Sequence, residues 1–197
     1  MLNKIKAICN FKEMSINELE KINDNIFTID NEEYYVLTNT EAQEMYEEMQ
    51  KELINELGLE GFTKFAQEYI INNCLDMQYF DECLHESNIN YVEDMYEDEL
   101  EEMFDMWNVT NKEDLIIELN NQYKNGLEYF KEIFTNEEIT EIINENYLMD
   151  IDKVIEYCQE VDGRGHIIAT YDGEENEIDV DDTTYYINRI YKRINIH

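Results

Sequence analysis

Basic residues are scarce in this chain of 197 residues, where 14 lysines and arginines face 48 acids for a formal net charge of −34. No run of some 18 apolar residues occurs, which excludes a membrane-spanning helix. No basic segment leads into a short apolar stretch, so a secretory signal is not expected and the chain is placed in the cytoplasm. A Gly-rich phosphate loop, a nucleophile elbow and a helical zinc motif are all missing. His85, His166 and His197 lie far apart, and no second pair joins Cys83 and His85 to complete a zinc site. Glu177, Asp179 and Asp181 begin the spacing of a calcium loop. Asp182 then stands where glycine is needed and Asn188 where glutamate is needed. The four cysteines are widely spaced, which suits thiols in a reducing compartment better than a disulfide framework. The expectation is a protein that is not an enzyme, with no catalytic residue, metal or cofactor assigned.

Proline is absent too, while Asn occurs 23 times and Ile 25 times, a usage that fits AT-rich coding. Lysine codons are equally AT-rich, yet only 11 lysines occur. The shortage of lysine therefore reads as selection for negative charge. Such charge opposes compaction and speaks of association rather than of fold. It is also unevenly placed: residues 41–160 carry 33 acids and 6 basic groups, whereas the 40 residues before them carry 7 and 4.

Hydrophobic residues make up 43% of the chain, enough for a core. Periodicity predicts an α+β fold: an N-terminal helix and β-hairpin (1–39), a mainly helical acidic body (40–160) and a C-terminal three-stranded antiparallel segment (161–197), all within reach of one compact domain. Ser15-Ile16-Asn17-Glu18 reads as a capping box, and Asn25–Ile29 with Glu33–Leu37 as a hairpin. Thr40, with Gln43 at the box position, is expected to cap a helix that Gly58 stops. Helical stripes follow, one of them running from Val92 through Met95, Tyr96, Leu100, Met103 and Phe104 to Trp107. Thr110 with Glu113 and Thr135 with Glu138 mark further starts. His166–Thr170, Asn176–Val180 and Thr184–Tyr191 read as strands, the first two joined at Asp172-Gly173.

Glu93–Asp105 holds eight acids. On one helix they would fall along roughly 18 Å, against one charge per about 1.7 Å of axis in duplex DNA. At i,i+4 spacing Asp94, Asp98 and Glu102 form one column, and Glu97, Glu101 and Asp105 a second. Glu41, Glu44, Glu48 and Glu52 repeat the theme, and Glu137, Glu138, Glu141 and Glu145 do so more weakly. A single acidic helix is more often just a solvated face; several in one body, with lysine depleted, suit a partner with a basic groove. Trp107 suits the core better than a binding role. Arg164, His166, Arg189, Lys192, Arg193 and His197 oppose the trend at the C-terminal end. Either they balance the Asp172–Asp182 acids, or Arg164 and Arg189 make a second contact.

Two stretches carry a resemblance. Tyr34-Tyr35-Val36-Leu37-Thr38-Asn39-Thr40-Glu41-Ala42 is similar to a segment that recurs in small phage and plasmid proteins. Gly163-Arg164-Gly165-His166, Tyr171-Asp172-Gly173-Glu174 and Tyr185-Tyr186-Ile187-Asn188-Arg189 resemble a second module of the same proteins, with Asn188 in place of the usual aromatic. The resemblance covers about 50 residues of 197 at the flanks of the acidic body. It implies a mobile-element origin, and small acidic phage proteins of this kind include anti-CRISPR and antirestriction proteins that imitate DNA. The expected partner is a basic nucleic-acid-binding protein, a Cas nuclease such as Cas9 or a restriction enzyme, met in the cytoplasm of an infected bacterium. No direct DNA binding and no membrane contact are expected. The rival expectation is a non-enzymatic adaptor that binds through its terminal β segments and whose charge is only solvated surface.

Overall fold

Asp30-Asn31 and Asp181-Asp182 close the two hairpins from which the sheet is built. All four residues have positive φ, at 50°, 66°, 47° and 62°. That is the backbone a two-residue type I′ turn requires, and Asn and Asp tolerate it best among residues with a side chain. The computed structural model describes residues 1–21 and 23–191 and shows a mainly helical α+β protein. Its sheet has five strands: β1 (Glu20–Lys21), β2 (Ile26–Ile29), β3 (Glu32–Thr38), β4 (Glu175–Val180) and β5 (Thr183–Ile190). The order is β1-β2-β3-β5-β4, antiparallel throughout. The hairpins from the two ends of the chain thus share one sheet through β3 and β5, with Val36 opposite Ile187 and Leu37 opposite Tyr186.

The chain forms two compact units. The first joins Met1–Gly58 to Ile151–His197, and the second is Leu59–Asp150. These boundaries differ from 39/40 and 160/161, because the helices on either side of the second unit belong with the sheet. In the first unit α1 (Leu2–Lys12) lays Ala7 and Ile8 on Phe27, Tyr34, Val36 and Ile187. The alternate strand residues Tyr35, Leu37 and Asn188 are buried on the opposite face. α2 (Asn39–Leu57) buries Ala42, Tyr46, Gln50 and Ile54, every fourth residue along one face. Its cap is Thr38, not Thr40. The Thr38 hydroxyl accepts from the Glu41 N–H while the Glu41 carboxylate accepts from the Thr38 N–H at 2.8 Å. Gly58 does end the helix, at φ 58°. α9 (Ile151–Asp162) packs on α2, and the Tyr46 hydroxyl donates to the Ile155 carbonyl.

Further expectations fail in this unit. His166–Thr170 is not a strand; Gly165–Ile168 makes a helical turn, α10. Gly165, Ile168 and Ala169 are buried, at i, i+3 and i+4, so burial follows a helical period despite the β-branched residues. Among the described residues the C-terminal segment therefore has two strands, not three, with its hairpin at Asp181-Asp182 and not at Asp172-Gly173. Ser15–Glu18 opens no full helix, only the single 3-10 turn Ile16–Glu18.

The second unit is helical: α3 (Lys64–Asn73), α4 (Met77–Glu93), α5 (Glu97–Trp107), α6 (Lys112–Asn120), α7 (Gly126–Ile133) and α8 (Asn136–Glu145). Ile70, Phe80, Leu84, Leu127, Phe130, Ile139 and Ile143 are buried, and the Phe80 and Phe130 rings meet edge to face at 5.1 Å. α7 starts on α4 at a single point. The Gly126 N–H donates to the Asp81 carboxylate at 2.6 Å, and a Cβ on Gly126 would fall 1.9 Å from the Phe80 carbonyl oxygen. The cap of α6 is Asn111 rather than Thr110, and Thr135 with Glu138 caps α8 as expected. On α3 Phe65 and Tyr69 are 78% and 40% exposed, while Ile70 and the C-cap Cys74 are buried. No disulfide joins the four cysteines. Among the described residues no helix is long and apolar enough to cross a membrane.

Candidate functional site: an acidic helical unit

The second unit concentrates the charge. Its 92 residues hold 24 acids and 4 basic groups, a net of −20, while the first unit carries 24 and 10 in its sequence. Within it α5 is the densest element. Glu97, Asp98, Glu99, Glu101, Glu102 and Asp105 are all exposed. They occupy the arc opposite Leu100, Met103, Phe104 and Trp107, which pack around the buried Val92, Leu115 and Leu119. Trp107 is thus a core contact. The Glu99 carboxylate accepts from the Tyr96 N–H at 3.0 Å and so holds the helix start. No described residue forms an ion pair with Glu97, Asp98, Glu101, Glu102 or Asp105.

The expected single helix over Glu93–Asp105 is broken. α4 runs to Glu93 with Asp94 as its C-cap, and α5 begins anew at Glu97. Asp94 therefore leaves the column of Asp98 and Glu102, whereas Glu97, Glu101 and Asp105 keep theirs. Six acids from Glu97 to Asp105 span about 12 Å of helix axis, one per roughly 2.4 Å, with i,i+4 neighbours about 6 Å apart. That remains close to the linear density of duplex DNA. Three of them, Glu97, Asp98 and Glu99, sit in the first turn, where the helix dipole favours negative charge. Glu101, Glu102 and Asp105 have no such support.

Glu41 is not free for a partner. It ties the cap of α2 to Lys4, itself nearly buried, through an ion pair of 2.6 Å. Burial alone would push its carboxyl up, but the Lys4 ammonium and the Thr38 donors outweigh that and hold it below the usual range. Glu44, Glu48 and Glu52 are exposed on α2 and belong to the first unit. There Glu44 and Glu48, with Glu47, Asp152, Glu156 and the lone Lys51, line an open groove of about 840 Å³. Asp152 and Glu156 were outside the expected faces, because the pairing of α9 with α2 cannot be read from either helix alone. Glu137, Glu141 and Glu145 are exposed on α8, and so is Glu138, which the Thr135 N–H and hydroxyl hold below the usual carboxylate range.

Arg164 and Arg189 are engaged inside the first unit. Arg164 pairs with Glu175 at 2.9 Å, donates to the Asn39 side chain at 2.9 Å and stacks on Tyr186. Its side chain is 11% exposed. Arg189 pairs with Glu32 and lies over the Tyr171 ring at 3.6 Å. Lys192, Arg193 and His197 lie outside the described residues. Gly165 sits against the Gly173 carbonyl, where a Cβ would come within 2.6 Å. The segments 34–42 and 163–189 thus meet in one unit, through Arg164 on Asn39 and β3 on β5. The acidic unit is contained in the sequence between them.

Among the described residues no group of three or more His, Cys, Asp or Glu side chains is arranged to hold a metal ion. What α5 presents is an array of exposed carboxylates along one helix. No protein-family model, curated protein or solved structure matches the chain.

Proposed function

We propose that the chain is a phage-encoded, stoichiometric inhibitor of a host DNA-targeting defence nuclease, a CRISPR-Cas effector such as Cas9, whose nucleic-acid channel it occupies by charge mimicry. The observation that carries this reading is the unpaired acidic face of α5 in a unit of net charge −20. An effector of this kind holds nucleic acid in a positively charged channel and reads its adjacent motif with arginines, both of which accept a phosphate-like array. Fixed carboxylates at near-DNA spacing release the anions condensed on that channel, so affinity falls steeply with salt. Titrating the protein into a DNA-cleavage assay tests the proposal. Cleavage is expected to stop near one equivalent, with DNA binding blocked and the complex dissociating as salt rises from about 50 to 200 mM. Inhibition at catalytic amounts of protein, or an affinity indifferent to salt, overturns it.

A further inference from the structure

α8 ends in a turn that glycine normally makes. The Leu148 N–H bonds to the Ile143 carbonyl at 3.0 Å and the Tyr147 N–H to the Asn144 carbonyl at 3.3 Å. This is the Schellman closure, with the buried pair Ile143 and Leu148 as its apolar contact. The residue after the C-cap of that motif must be left-handed, and here it is Tyr147, at φ 53°. Of the seven described non-glycine residues with positive φ, five are Asn or Asp, which tolerate it; Tyr147 is the aromatic one. Burial of the ring does not offset the strain, because Tyr147 is 85% exposed, more than any other large apolar residue described. The backbone around it is nonetheless fixed. The Asp76 N–H bonds to the Leu148 carbonyl and the Asp150 N–H to the Cys74 carbonyl, each at 2.8 Å, and Leu75 bridges to Met149. A disfavoured backbone thus holds a ring out to solvent, just past the exposed Glu141 and Glu145.

We infer that Tyr147 is an aromatic anchor for the target, entering an apolar pocket whose lysine or arginine rim meets Glu141 and Glu145. The inference rests on the charge-mimicry reading and adds to it what charge lacks, a contact that selects one basic protein among many. A tyrosine offers large area with few torsions to freeze, and a rigid backbone lowers the entropy lost on binding. Its contribution is apolar, so it does not share the salt dependence of the acidic array.

The test uses the full chain with Tyr147→Gly and Tyr147→Phe, a guide-loaded Cas9-type effector as probe, and a salt series. Tyr147→Gly relieves the strained φ, so Tm is expected to rise by a few degrees. Affinity is expected to fall about tenfold or more at every salt concentration, with the salt slope unchanged, as for loss of a hot-spot side chain. Tyr147→Phe keeps the ring and is expected to bind within about threefold of wild type. Wild-type affinity in the glycine variant overturns the anchor and leaves the charge reading intact. A lower Tm in that variant overturns it as well, since the ring would then serve the fold. A wild-type chain that binds no effector even at low salt overturns the charge reading and the anchor with it.

Discussion

At the scale of single residues, Gly126 is the tightest point in the second unit. A side chain there has nowhere to go, because the nearest atoms are the Phe80 carbonyl and the Asp81 nitrogen rather than a flexible side chain. Gly126→Ala is expected to destabilise the protein by about 3 kcal/mol, by forcing α7 off α4. A urea midpoint followed through Trp107 fluorescence measures it, and an unchanged midpoint would mean the two helices separate freely. Before the structure, Gly126 reads only as an interruption between two apolar stretches; a close backbone approach leaves no mark in one sequence. Glu41 and Arg189 teach the same lesson, each drawn into a pair by a partner distant in sequence, Lys4 and Glu32. Arg164 instead pairs with Glu175, one of the neighbouring Asp172–Asp182 acids it was expected either to balance or to leave for a second contact.

Among the elements, α5 shows how composition and geometry diverge. The apolar positions from Val92 to Trp107 continue in helical phase, so a single helix is the natural reading. The chain breaks at Asp94, and Val92 of α4 and Leu100–Trp107 of α5 then pack around Leu115 and Leu119 as two helices rather than one. Caps slipped for a related reason. Thr38 and Thr40 each precede an acceptable box partner, Glu41 and Gln43, and only Thr38 ends a strand paired to β5. The sequence motif at Thr135 has no such competitor, and it reads correctly. The N-terminal hairpin falls where its strands predict; at the C-terminal end Asp172-Gly173 is the stronger turn signal, yet the hairpin closes at Asp181-Asp182. Neutralising Glu101→Gln, Glu102→Gln and Asp105→Asn removes like charges beyond the first turn, where the dipole does not favour them. The triple variant is expected to be more stable by a few tenths of a kcal/mol per repelling pair. It is also expected to inhibit more weakly and to show a shallower salt slope, by about one unit per lost contact. Thermal melts beside a salt-titrated binding assay check both signs; weaker inhibition caused by unfolding would appear as a lowered Tm.

For the whole molecule, self-repulsion and ion pairing respond to solution conditions in opposite ways. A net charge of −34 opposes folding, and salt screens it over about 8–10 Å, so added salt is expected to raise the Tm of the free protein while dissociating its complex. Acid acts on specific groups of the first unit. The Tyr34 hydroxyl, with help from Lys12 and Arg189 and against a burial penalty, holds the Glu32 carboxyl below its ordinary value of 4.5, and Glu41 is lowered likewise. A carboxyl depressed in the folded state adds stability that is present above pH 4.5 and lost as pH falls through the lower folded value. Acid unfolding of the sheet is therefore expected below pH 4.5, and Glu41→Gln is expected to flatten that limb. Denaturation monitored at pH 3 to 6 for both chains decides it.

The pairing of β3 with β5 also sets a timetable for synthesis. Leu37 leaves the ribosome well before its strand partner Tyr186, with the whole second unit made between them. The second unit, by contrast, is a continuous stretch from Leu59 to Asp150 whose helices meet neighbours near in sequence. Short-range contacts form quickly, and distant strand pairing is slow. The acidic unit is expected to be folded while the sheet still waits for its final hairpin, so Trp107 fluorescence should reach its native value before the Val36 amide becomes protected from exchange. A nascent chain would then display the acidic face of α5 before it has closed its sheet.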